Sequence, residues 1–168
     1  MIRETEGDIL LSKAQFIAHG IAPQDHFDNG LALALRERWP AMVRDYRQAT
    51  RNHPLAAGEI WAWAGVDADG SARGVVNLLT QDMIGSGGSA RPGKATVENV
   101  SRVLKALAKF ARDEKVRSLA LPRLATGVGG LQWADVKPVV QQHLGDLGIP
   151  VIVYETYHAG VQADEKLG

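Results

Sequence analysis

Short runs of branched and apolar residues alternate along this chain with amphipathic stretches of helical period, and that alternation limits the possible folds more than any other feature. Phe16–Ile21, Glu59–Ala64, Gly74–Leu79, Arg117–Leu121 and Ile149–Tyr154 read as strands, with Ile2–Thr5 as a further one. Most are nearly continuously apolar, as in sheets covered on both faces. Gly30–Trp39 reads as a helix that Pro40 interrupts, and Met42–Gln48 as a short continuation. Val97, Val100, Val103, Leu104, Leu107 and Ala111 recur at helical spacing, with Lys105, Lys109 and Arg112 on the other side. Val136, Val139, Val140, His143 and Leu144 repeat the pattern before "GDLGIP" stops the helix and feeds the last strand. Strands and helices in this order imply layered α/β packing.

With 168 residues the chain is expected to form one domain over 1–158, followed by a polar, mobile tail over 159–168. Nineteen basic residues balance nineteen acidic ones, which excludes a polyanion binder working by bulk charge and leaves only local patches. There is no cysteine, hence neither a disulfide framework nor thiolate chemistry. No leader pattern and no apolar run of about 18 residues is present, so a soluble cytoplasmic monomer is expected. Trp61 and Trp63 in "WAWAG" are expected on one buried strand face.

In sheets of this kind ligands sit beyond the carboxyl ends of the strands. Three segments leave strands in that way. "LPRLATGVGGLQW" at 121–133 is a strand, a glycine loop and a helix, and its consecutive N–H groups can form a concave anion site. It is neither a nucleotide-kinase P-loop nor a dinucleotide fingerprint, and a structural glycine turn is the alternative. "IAHGIAPQDHFDNGLALALRERWP" at 17–40 places Asp25, His26 and Asp28 together, either for acid/base or metal chemistry or, more plainly, as a helix cap with solvated neighbours. "NLLTQDMIGSGGSARPGKATVEN" at 77–99 reads as a long glycine- and serine-rich loop able to act as a lid. Gln81 follows its strand, and Lys94 ends it beside Thr96, a candidate helix cap.

"EGDIL" at 6–10, "IAHG" leading to "NGLALAL", and "LPRLATGVGGLQW" resemble the macrodomain family, modules that bind ADP-ribose and in some members hydrolyse its links. The likeness spans nearly the whole chain and is most specific in P-R-(apolar)-x-x-G-(apolar)-x-x-L-Q-W. It lies with the branch holding the human terminal ADP-ribose protein glycohydrolase and the antitoxin macrodomains that strip ADP-ribose from thymidine in DNA. The resemblance implies a three-layer α/β/α sandwich around a central mixed, mostly parallel sheet. It implies that Asp8 accepts from the adenine amino group, that the Ile9 amide serves a ring nitrogen, and that Tyr154 lies against the base. Asn29, Gly30 and Leu31, with Thr126, Gly127, Val128, Gly129 and Gly130, would enclose the diphosphate and distal ribose, a Cβ at Gly127 or Gly129 standing between phosphate and amides.

The resemblance implies a catalytic lysine and a loop aspartate in the human glycohydrolase, and the lysine without the aspartate in the antitoxins, at positions that here read Gln81 and Gly129. The covalent lysine route is therefore not carried over. Gln81, Lys94, Asp25, His26 and Asp28 remain the candidates for chemistry, with no cofactor and no metal. Two functions stay open: a hydrolase that removes ADP-ribose from a modified protein or DNA, and a reader that binds ADP-ribose without turnover. Action on DNA would call on a patch such as Arg36, Arg38, Arg91 and Lys94.

Overall fold

The structure is a computed structural model that describes residues 2–28, 30–85, 90–127 and 129–167, Thr156 by its backbone alone. Its elements run β1 (Ile2–Gly7), a 3-10 turn (Ile9–Leu11), β2 (Phe16–Ile21), α1 (Gly30–Arg38), α2 (Pro40–Asn52), β3 (Ile60–Val66), β4 (Ala72–Leu79), β5 (Gln81–Ile84), β6 (Arg91–Ala95), α3 (Val97–Asp113), β7 (Leu119–Pro122), α4 (Trp133–Leu144) and β8 (Val151–Tyr157). Six strands form one sheet in the order β1-β8-β7-β2-β4-β3. Every neighbouring pair is parallel except β3 with β4.

Alternating strand residues feed two separate cores, one on each face of the sheet. Val76, Leu78, Leu119, Leu121, Val151 and Val153 pack with Val100, Val103, Leu104 and Leu107 of α3 and Val136 and Val140 of α4. Ile17, Ile21, Val75, Leu79, Ala120 and Ile152 pack on the other side with Leu35 of α1 and Met42, Val43 and Tyr46 of α2. This is the expected three-layer arrangement around a mixed, mostly parallel sheet. Thr96 caps α3 by accepting the Asn99 amide at 3.0 Å, as its position suggested.

Three expectations need correcting. The helix after Pro40 is thirteen residues long, because proline at the first helical position opens a helix instead of ending one, and Trp39 makes the break with φ −129° and ψ 75°. The segment read as a long loop contains an antiparallel hairpin in which Gln81 faces Ala95 and Ile84 faces Arg91. Ser86–Ser89, the centre of the supposed lid, lie outside the described residues. Trp61 and Trp63 are half-buried against α2 instead of being sunk in a core. Trp63 Nε1 donates to Asp45 at 3.0 Å, and the Trp61 ring meets Tyr46 edge-on at 5.4 Å.

Residues 159–167, the described part of the tail expected over 159–168, run back with His158 across the start of the chain. His158 N donates to Gly7 O at 3.0 Å, and Asp8 N to Val161 O at 2.7 Å. Glu165 is buried, accepting from Ser12 Oγ at 2.6 Å, from Lys13 N at 2.8 Å and from Tyr154 Oη at 2.9 Å. Among the described residues no helix is long and apolar enough to cross a membrane.

Candidate functional site

Two loops leave the carboxyl ends of β2 and β7, and each is fixed by its own hydrogen bonds. In the first, Asp25 Oδ1 accepts the Phe27 amide at 2.7 Å and holds Phe27 at φ 54°. The Phe27 ring is fully buried between His19 and Tyr46. In the second, Ala125 stands at φ 63° while its carbonyl accepts the Leu131 amide at 2.9 Å, and Thr126 Oγ1 donates to Arg123 O at 2.8 Å. Left-handed geometry costs a residue with a side chain about 1 kcal/mol or more. Both loops are therefore held in shape by the packing around them.

Between the loops lies a cleft with two compartments that share Gly30, Leu31 and Pro122. The first, of about 420 Å³, is apolar and lined by Gly7, Ile9, Leu10, Ala34, Tyr154 and Tyr157 as well. A planar base fits its chemistry. The second, of about 580 Å³, is polar and bounded by His19, Asp25, His26, Asp28, Thr80, Gln81, Arg91, Arg123, Gly127 and Gly129 among others. Loop amides, a helix start at Gly30 and two arginines there suit an anion.

The structure thus brings Ile9, Gly30, Leu31 and Tyr154 to the apolar compartment or its border, and Asp25, His26, Asp28, Gln81, Gly127 and Gly129 to the polar one. Asn29 and Val128 lie outside the described residues. The Asp8 carboxylate stands behind the apolar wall, where Oδ1 accepts from Leu10 N and Oδ2 from Gly160 N, each at 3.0 Å. Gln81 Nε2 is spent on Gly93 O at 2.6 Å. Lys94 is exposed on β6, its aliphatic chain within 3.5 Å of where a Cβ on Gly130 would stand, and does not line the cleft. The two loop glycines differ in kind. A Cβ on Gly127 meets nothing within 4 Å, whereas one on Gly129 would come within 2.7 Å of Ala125 O. Gly129 is required by the packing of its own loop, and it also lines the polar compartment.

Sequence reasoning passed over several residues that the structure puts at the cleft. Tyr157, 60% exposed, lines the apolar compartment with Tyr154 although the two are three positions apart. A register shift between Thr5 and Glu6 leaves Glu155 as an extra residue on β8 and resets the alternation, which no local pattern reveals. Thr80 Oγ1 is buried without a hydrogen-bond partner at the floor of the polar compartment. His19 is paired across the sheet with Asn77, Nε2 to Oδ1 at 2.7 Å. Burial pushes its imidazole down to about 4, against the pull of Asn77 and of Asp25, so it is neutral at pH 7. Its place in "IAHG" was the available signal. Burial, with the hydrogen bond to Glu165, raises the Tyr154 hydroxyl above the usual tyrosine range. Among the described residues no group of three or more His, Cys, Asp or Glu is placed to hold a metal ion.

A sequence model described as the Macro domain matches residues 15–140. The DNA ADP-ribosyl glycohydrolase of Thermus aquaticus is 28% identical over 158 residues, covering 92% of this chain and 41% of that protein. The ADP-ribose glycohydrolase OARD1 of Homo sapiens is 24% identical over 154 residues, covering 91% of this chain and 90% of that protein. The chain spans about two fifths of the length of the first curated relatives it matches. Of solved structures, the macrodomain of Thermus aquaticus DarG superposes with a TM-score of 0.78 at 28% identity, covering 92% of this chain and 98% of that one. Thermosipho africanus DarTG in complex with ADP-ribose has a TM-score of 0.78 at 20% identity over 96% of this chain and 42% of that one, a likeness of fold.

Proposed function

The chain belongs to the macrodomain family, and on that premise we propose that it is an ADP-ribosyl hydrolase that releases ADP-ribose from a modified macromolecule. The observation that carries this reading is the continuity of an apolar compartment with a polar one through Gly30, Leu31 and Pro122. The adenine occupies the first, between Ile9, Tyr154 and Tyr157. The diphosphate crosses at Gly30 and Gly127, and the distal ribose with its scissile bond enters the second. The names of the relatives support the same class of ligand and reaction.

Hydrolysis at the anomeric carbon needs a held water and stabilisation of an oxocarbenium-like transition state. Gln81, an amide, neither gives nor takes a proton, and with Nε2 committed to Gly93 O it positions the ribose. Asp25 is committed through Oδ1 to the Phe27 amide and shapes the loop. Lys94 is off the cleft. Asp28, on the lip of the polar compartment, is the carboxylate we assign to the water. The diphosphate itself, held by main-chain donors, orients that water from the other side.

The test pairs calorimetry with free ADP-ribose and release assays on ADP-ribosylated protein and ADP-ribosylated single-stranded DNA. Binding together with release is expected. Asp28→Asn should lower kcat by about a hundredfold or more while ADP-ribose affinity changes little. Tight binding with no release from either substrate would make the protein a reader, and no binding at all would end both readings.

A further inference from the structure

Beside the cleft, α1 and α2 carry a second concavity of about 280 Å³ lined by Arg36, Pro40, Val43, Arg44, Arg47 and Arg51. All four arginines are exposed, and none forms an ion pair with a described residue, whereas Arg38, Arg73, Arg123, Lys109 and Lys137 each have a carboxylate partner. The acids nearby are turned to other work. Asp45 accepts from Trp63 Nε1, and Asp25 from the Phe27 amide. Four guanidinium groups against these carboxylates, none of them ion-paired to the arginines, leave a local excess of positive charge in a chain with as many acidic as basic residues.

The concavity leads into the cleft. An adjoining hollow of about 270 Å³ is lined by Arg47 and Arg51 at one end and by Gln24, Asp25 and His26 at the other, and those last three also bound the polar compartment. Arg36 Nη1 and Arg47 Nη2 donate to the His26 carbonyl at 3.4 and 3.1 Å, tying the arginine surface to the lip. Arg44, Arg47 and Arg51 fall at spacings of three and four on one helix face. Across seven residues they extend about 10 Å along the helix.

The geometry points to this groove as a track for the sugar-phosphate backbone of single-stranded nucleic acid, leading a modified nucleotide to the distal end of the cleft. The inference rests on the hydrolase reading and gives it a substrate class. Guanidinium forks match phosphate oxygens. The concavity of the four arginines offers no aromatic platform and no amide, only Pro40 and Val43, so recognition there is independent of sequence and falls with salt. A base joined to ADP-ribose must leave its stack to reach the cleft, which favours a single strand over a duplex. Of the patch drawn from sequence, Arg36 lies in this groove and Arg91 borders the polar compartment, while Arg38 is paired with Asp67 and Lys94 is not among the cleft's lining.

The test uses Arg44→Glu/Arg51→Glu, since neither side chain makes a hydrogen bond or ion pair among the described residues. Fluorescence anisotropy with an unmodified single-stranded oligonucleotide should show wild-type affinity falling with salt at a log–log slope of about −3, for four phosphates engaged. The variant should bind at least about tenfold more weakly with a shallower slope, and turnover of an ADP-ribosylated oligonucleotide should show raised KM with kcat retained. Calorimetry with free ADP-ribose should be the same for both proteins. Equal oligonucleotide binding by variant and wild type would overturn the track, as would an acidic peptide competing as well as the oligonucleotide, which would assign the groove to a protein. Failure of ADP-ribose to bind either protein would instead refute the hydrolase reading, leaving the oligonucleotide measurement to judge the groove alone.

Discussion

The two ends of the cleft are built on different terms. At the apolar end the wall is made of strand and 3-10 turn, and its polar groups are engaged by partners: Asp8 by the amides of Leu10 and Gly160, Tyr154 by Glu165. At the distal end the wall is made of two loops held at left-handed Phe27 and Ala125, and the Thr80 hydroxyl at its border is buried without a hydrogen-bond partner. A finished surface binds a base through contact area, and its cost is met when the chain folds. An unfinished one keeps donors and acceptors for groups that only the ligand supplies, and reaction chemistry belongs there.

The strongest way to break this contrast is Gly127→Glu. The Cβ has open space, so the fold should keep its melting temperature, while a carboxylate beside the diphosphate should lower ADP-ribose affinity by about a hundredfold or more in calorimetry. Normal titration would mean that the anion lies elsewhere. Next in size is the buried His19. Its folded value, about 4, lies below the ordinary 6.5, so the unfolded chain binds the extra proton between those values. The contribution is complete above pH 6.5, is lost as pH falls toward 4, and amounts to about 3 kcal/mol. His19→Gln keeps a nitrogen for Asn77 but takes no proton. Its urea stability should therefore fall less than that of wild type between pH 7 and pH 4.5, and parallel losses would remove His19 from the acid response.

Smaller effects sharpen the comparison. Glu165→Ala strips acceptors from Ser12, the Lys13 amide and Tyr154, and should cost about 2 kcal/mol of stability in denaturant melts, with ADP-ribose affinity reduced through the adenine wall and kcat unchanged. A fall in kcat alone would contradict the division of labour. Thr80→Val should do the reverse. Removing a buried hydroxyl with no partner leaves stability equal or higher, while ADP-ribose affinity drops about fivefold, near 1 kcal/mol. Loss of stability with unchanged affinity would show that the hydroxyl serves the fold.

What the sequence made legible follows from the range of the interaction involved. Sheet strands and the helices α3 and α4 show in hydrophobic period, because each buries a face and needs no distant partner to declare it. The hairpin of Gln81–Ile84 and Arg91–Ala95 did not, since glycine and proline around a short apolar pair look like loop until the pairing of Gln81 with Ala95 is seen. Proline at position 40 could either end or open a helix, and only the packing of Met42, Val43 and Tyr46 decides it. The glycine loop was visible as a whole, yet the separate duties of Gly127 and Gly129 depend on where Ala125 O lies. Glu165 reads as one more charge in a polar segment, and its partner Ser12 is 153 positions away.

Pairing of β1 with β8 sets when the apolar compartment is completed. Ile2 lies beside Val151, so that compartment joins the first strand of the sheet to the last one made. A nascent chain that already holds both glycine loops lacks Tyr154 and Tyr157 in that wall until β8 emerges and slots between β1 and β7. Such distant pairing is slow to form, and the apolar compartment is therefore completed in one step with the closing of the sheet.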